Sequence, residues 1–192
     1  MLAAVAVLLI LVGVGIVWTS DSSADDPGVY RPGQVDDLCA VIDVSALAEL
    51  TPTVDSQEAE SQDEENLSVF GCQMRLLAEQ DDDTGDYLAV TLDAKARIGT
   101  DVAVAEDAFA GAVDYERSRG RSIDEPAGSG DEAAFVTVPP DGDQQECRVH
   151  VRHSNAVLSV TMFVTGAGLD CAESDDVLLG LTTSTLDVIR SE

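Results

Sequence analysis

The chain has 192 residues and carries 37 Asp and Glu against 10 Lys and Arg, a formal net charge of −27. That balance repels nucleic acid and anionic headgroups, so it argues against nucleic-acid partners, and it keeps a chain soluble in the manner also found in halophiles. Beyond an apolar start and the segment after it, roughly 155 residues remain, enough for one domain with a core of its own.

Residues 1–18 contain no charge and no proline. As a helix they would reach ~27 Å, close to the ~30 Å hydrocarbon core of a bilayer. The run is longer than the apolar region of a secretory signal, about 7–15 residues, and lacks its basic start. The expectation is a single-pass membrane anchor, with secretion after cleavage near Ser22, Ser23 and Ala24 as the alternative. Residues 19–35, rich in Ser, Asp, Pro and Gly, read as a flexible tether, and 36–190 as a single domain.

Within that domain "VDDLCAVIDVSALAEL" predicts one helix or two short ones, with Asp36 or Asp43 as cap and Leu38, Val41, Leu47 and Leu50 inward. The acidic stretch "TPTVDSQEAESQDEENLS" lacks aromatic residues and apolar periodicity and predicts a mobile loop. Phe70, Cys72, Met74 and Leu76 alternate, as do Leu88, Val90, Leu92 and Ala94, so two half-buried strands follow, joined by a turn at "EQDDDTGD". Ala105, Ala108, Phe109, Ala112 and Val113 have the spacing of an amphipathic helix that Gly120 ends.

Three more strands are predicted. Ala134, Val136 and Val138 alternate before a Pro-Pro-Asp-Gly turn. Next, Cys147, Val149 and Val151 point inward while Arg148, His150 and Arg152 point out to solvent. "HSNA" then turns the chain into Leu158, Val160, Met162 and Val164. From about Ser174 to Arg190 a terminal helix packs through Leu178, Leu179, Leu181, Leu186 and Ile189. The order α-β-β-α-β-β-β-α implies an α+β fold: an antiparallel sheet of about five strands, covered by helices on one face and preceded by the membrane helix.

Cys39, Cys72, Cys147 and Cys171 form an even set in a chain sent to or through a membrane, which points to two disulfides in an oxidising compartment. Four buried free thiols are the competing reading. Pairing neighbours, 39 with 72 and 147 with 171, would staple the first and last helices to the sheet, although spacing leaves the other two connectivities open. A zinc site is not indicated, since no C-x-x-C pair occurs.

"DLCAVIDVSALAEL", "FGCQMRL", "GSGDEAAF" and "VRHSNAVLSV", with the amphipathic helix after them, resemble a family of actinobacterial extracytoplasmic domains of unknown function. The resemblance spans about residues 36–190 and is strongest at Gly130-Asp131-Glu132-Ala133 and in the cysteine spacing. Met74 stands where the family has an aromatic residue. It implies a lipid- or helix-anchored domain similar in fold to the extracellular sensor domains of mycobacterial serine/threonine kinases, and it supplies no active site.

Catalytic patterns are weak. His150 and His153 lie three apart on a strand and so point to opposite faces, and Gly128-Ser129-Gly130 is not a nucleophile elbow. Asp81, Asp82, Asp83, Gly85 and Asp86 look like a calcium loop, but Asp86 replaces the required glycine and Leu92 the final acidic ligand. No metal or cofactor is therefore expected. One feature stands out from the acidic field. Arg117, Arg119 and Arg121, with Arg148, His150 and Arg152, hold half of all Lys and Arg in two short stretches. They are candidates for an anion-binding patch, because guanidinium forks suit carboxylate and phosphate; neutralisation of local acidic neighbours is the simpler explanation.

The sequence thus predicts a membrane-tethered, extracytoplasmic binding or sensor-like module that is not an enzyme and meets a cell-envelope ligand or protein partner. Its rival is a cell-envelope hydrolase with a carboxylate site. An enclosed apolar pocket with convergent carboxylates would favour the hydrolase, and a groove on the sheet would favour binding.

Overall fold

Alternation along the strands decides the architecture. The computed structural model describes residues 27–31, 33–47, 53–78, 88–126, 130–142, 144–166 and 171–191. Its elements run α1 (Leu38–Val41), a 3₁₀ turn (Val44–Leu47), β1 (Thr53–Asp63), β2 (Leu67–Leu77), β3 (Leu88–Gly99), α2 (Val102–Ser118), β4 (Ser122–Asp124), β5 (Glu132–Thr137), β6 (Gln144–His153), β7 (Ala156–Gly166) and α3 (Cys171–Ser191). The strands form one antiparallel sheet in the order β1-β2-β3-β7-β6-β5-β4. The fold is therefore α+β, with seven strands where about five are expected from the sequence. Both additions are edges. β4 has only three residues, too few for a periodic signal.

β1 corrects the reading of residues 53–63 as a loop. All eleven of its residues are exposed, so no apolar alternation marks it. It is held by its ladder to β2, from Thr53 opposite Leu77 to Asp63 opposite Ser68. Asp55, Glu58, Glu60 and Asp63 also place negative charge on the outer edge, which opposes pairing with another chain. The predicted turn at "EQDDDTGD" and the calcium-like loop within it lie outside the described residues.

One sheet face carries the main core. Val90, Leu92, Ala94, Ala96 and Ile98 of β3 meet Leu158, Val160, Met162 and Val164 of β7 and Cys147, Val149 and Val151 of β6, each at most 1 % exposed. Leu178, Leu181, Leu186 and Ile189 of α3, with Leu38 and Leu47, close that layer. Each fully buried Leu, Ile or Met contributes about 1.5–3 kcal/mol relative to exposure. Asp37, rather than Asp36, caps α1 by accepting from the Cys39 amide at 2.8 Å, and Asp43 accepts from the Ser45 amide at 2.9 Å. Leu50 lies outside the described residues. Cys39 bonds to Cys72, joining α1 to β2. Cys147 is also disulfide-bonded, whereas the side chain of Cys171 lies outside those described.

The opposite face corrects the expectation of helices on one side only. Ala105, Phe109 and Val113 of α2 pack on Ala134 of β5 and Val157 of β7, residues that alternate with members of the main core. The sheet is thus covered on both faces. Sequence misses this because Arg148, His150 and Arg152 share the α2 face and read as solvent-facing; in the structure His150 is 5 % and Arg152 8 % exposed. Gly120, at φ +72°, ends the chain's course beyond α2 and donates to the Arg117 carbonyl.

The end of the expected tether is fixed to the domain. Tyr30 and Val35 are buried. Asn155, in the β6–β7 turn, accepts from the Tyr30 amide at 2.9 Å and donates to the carbonyls of Tyr30 and Gly99 at 2.9 and 2.8 Å. Gly28 lies so close to Asn155 that a Cβ there would sit 2.2 Å from its side-chain oxygen, and its φ of +74° also suits glycine. Residues 1–26, which include the proposed anchor or signal and most of the tether, lie outside the described residues. Among the described residues no helix is long and apolar enough to cross a membrane.

Candidate functional site

A cleft of about 590 Å³ opens where α2 stands off the sheet. Its helical wall is made by Ala108, Gly111, Ala112 and Tyr115, spaced three or four apart and so on one side of α2. The small size of Ala108, Gly111 and Ala112 leaves the space open: a Cβ added at Gly111 would meet no atom within 4 Å. The floor is a grid set by strand register. Lys95 of β3 is opposite Ser159 of β7, which is opposite His150 of β6; in the next row Asp93, Thr161 and Arg148 align in the same way. Arg97 continues the β3 row, and all of these side chains line the cleft.

At one end Glu116 of α2, 1 % exposed, is clamped between two arginines. Arg121 donates to Glu116 Oε2 at 2.5 Å and Arg148 donates to Glu116 Oε1. Glu146 of β6 accepts from the other side of Arg148 and lies 3.9 Å from Arg121. Burial pushes the Glu116 carboxyl up, but the hydrogen bonds and charges of Arg121 and Arg148 outweigh burial and hold it below the usual carboxylate range. Glu116 is thus an ionised strut between α2 and β6.

His150 sits beside that strut. Its Nδ1 is 2.8 Å from Ser159 Oγ, and its Nε2, 3.9 Å from Glu116 Oε1, is buried with no hydrogen-bond partner among the described residues. Burial depresses its pKa to about 4; Glu116 opposes that shift, and Arg148 and Arg97 add to it. The imidazole is therefore neutral at pH 7. Arg97 Nη1 donates to the same Ser159 Oγ at 3.4 Å, so one hydroxyl links Arg97 and His150. Burial also lowers the Arg97 pKa. Neither Arg97 nor Lys95, the single lysine of the chain, has a carboxylate within ion-pair distance among the described residues.

The structure brings three of the six sequence candidates together: Arg121, Arg148 and His150 meet at Glu116. The other three lie elsewhere. Arg152 is wrapped by Glu132 at 2.5 Å, Asp131 at 3.4 Å and Glu106 at 3.9 Å. Arg117 pairs on the surface with Asp114 and Glu125, at 3.2 and 2.9 Å. Arg119 follows α2 in the exposed turn before Gly120. Lys95 and Arg97 escaped the sequence reading. The polar row Asp93, Lys95, Arg97, alternating with Leu92, Ala94 and Ala96, was the available signal.

Chemically, the cleft offers cations, hydroxyls and an imidazole over a polar floor, with the Glu116 carboxylate fixed by two arginines and the exposed Asp93 as a second carboxylate in the lining. Among the described residues no group of three or more His, Cys, Asp or Glu could hold a metal ion. No known protein family matches the chain, and no curated protein matches it either.

Proposed function

We propose that the chain is a membrane-tethered, extracytoplasmic binding or sensor-like module, non-catalytic, whose ligand enters the cleft beneath α2. One observation carries this reading. In a chain of net charge −27, Lys95, Arg97 and the buried His150 Nε2, which has no hydrogen-bond partner among the described residues, line the same open cleft. The disulfide between Cys39 and Cys72 supports an oxidising compartment. The apolar run of residues 1–18 and the resemblance to actinobacterial extracytoplasmic domains support the tether and the sensor-like role.

The cleft also favours binding over hydrolysis. A hydrolase built on carboxylates needs one held protonated as a general acid, which requires a raised pKa. Glu116, the buried carboxylate of the cleft, is shifted the other way.

Native mass spectrometry tests the reading. The full chain and an Ala112→Trp variant, which fills the cleft from α2, are each incubated with an extract of cell envelope and re-isolated. A small-molecule adduct on the parent chain that is missing from the variant supports the proposal. Identical spectra for the two overturn it.

A further inference from the structure

The cleft's charge pattern indicates what part of a ligand it holds. Resting on the reading that the cleft is the ligand site, we propose that the ligand is bound through an oxyanion group, carboxylate or phosphate, seated on Lys95 and Arg97, with its apolar part along Ala108, Gly111 and Ala112.

Every other arginine named at the cleft or near it already holds a carboxylate. Arg121 and Arg148 share Glu116 and Glu146, and Arg152 is held by Glu132, Asp131 and Glu106. Lys95 and Arg97 are therefore the cations on this floor that have no carboxylate within ion-pair distance among the described residues, although Arg148 Nε is also without a hydrogen-bond partner there. Placing Arg97 partly buried with, among the described residues, the Ser159 hydroxyl as its side-chain partner is costly, and an oxyanion would offset that desolvation. His150 adds a second polar group. His150 Nε2 is buried with no hydrogen-bond partner among the described residues, and in the tautomer in which Ser159 donates to Nδ1 it carries a proton for which an oxyanion, or a water bound to it, supplies the acceptor. Lys95, Ser159 and His150 occupy one row across three adjacent strands, which spans about 10 Å at the usual strand spacing, wide enough for one compact anionic head. The opposite wall has no polar side chain until Tyr115 and Glu116, so an apolar tail would lie against it.

Titration calorimetry with four probes tests this on the full chain: hexyl phosphate, hexanoate, inorganic phosphate and hexanol. Binding of either amphiphilic anion, weakened roughly 10–100-fold by Lys95→Gln or Arg97→Gln and lost in Ala112→Trp, is the expected result. The two amphiphiles rank phosphate against carboxylate, and inorganic phosphate reports whether the head suffices. If hexanol binds as tightly as the anions and the two charge substitutions change nothing, the oxyanion assignment falls while the cleft remains a ligand site. If anion binding survives Ala112→Trp, the site lies elsewhere and both readings fall. Lys95 is partly exposed, so Lys95→Gln keeps the test open should Arg97→Gln not fold.

Discussion

Replacing Glu116 with glutamine removes one charge from the strut that ties α2 to β6, and the structure sets the size of the effect. Glu116 is 1 % exposed, and the side chains of Arg121 and Arg148 are 15 % and 18 % exposed, so water screens these contacts poorly. Removing one partner of a buried pair costs about 3–5 kcal/mol, because the other charge is left behind. Here the loss is smaller. Glu146 still accepts from Arg148, and the glutamine oxygen can still accept a hydrogen bond, so about 2–4 kcal/mol is expected at pH 7. In a chain of this length that lowers Tm by roughly 4–16 °C.

The pH dependence gives the sharper test. Because the folded-state pKa of Glu116 lies below its ordinary value of 4.5, its stabilisation is complete above about pH 4.5 and is lost as pH falls through the folded pKa. Below that point the native side chain is a neutral acid, close to glutamine. Urea unfolding of both proteins between pH 7 and pH 3 should therefore show a gap that closes toward the acid end. A gap under about 0.5 kcal/mol at pH 7, within the range of an ordinary surface change, would refute the strut. So would a gap that stays constant with pH.

Other expectations follow from separate parts of the molecule. Replacing both Cys39 and Cys72 with alanine opens a loop with a sequence separation of 33 and should cost about 3–4 kcal/mol in urea unfolding, from loop entropy alone. Asn155→Ala strips three hydrogen bonds from a residue that is 1 % exposed; a loss of roughly 2–4 kcal/mol is expected, with hydrogen exchange at the Tyr30 amide accelerating first. Association of hexyl phosphate with the cleft should quicken as salt rises, because the Debye length shrinks from about 30 Å at 0.01 M to about 8 Å at 0.15 M and screens the −27 field more than the contacts inside. Stopped-flow measurement of a rate that falls with salt would contradict this.

Much of the interior was legible in the sequence, because period-two apolar rows mark β2, β3, β6 and β7 and a helical stripe marks α2 and α3. What escaped has physical causes. β1 makes its contribution through backbone hydrogen bonds at an edge, where side chains need no pattern. The docking of Tyr30 depends on Asn155, 125 residues away, and local composition carries no trace of it. The cleft was half visible. Arg148 and His150 could be placed on one strand face, but that Lys95 and Arg97 share the floor follows only from the long-range pairing of β3 with β7. The same alternation that signals a solvated face also builds a polar floor under a helix, and only the position of α2 separates the two.

The most direct test is side-chain NMR of the full chain during a titration with hexyl phosphate. The guanidinium resonances of Arg97 and the imidazole resonances of His150 should shift together along one saturable curve, while those of Arg117 and Arg119 stay in place. Saturable shifts at Arg117 and Arg119 with Arg97 and His150 unmoved would contradict an anion site beneath α2.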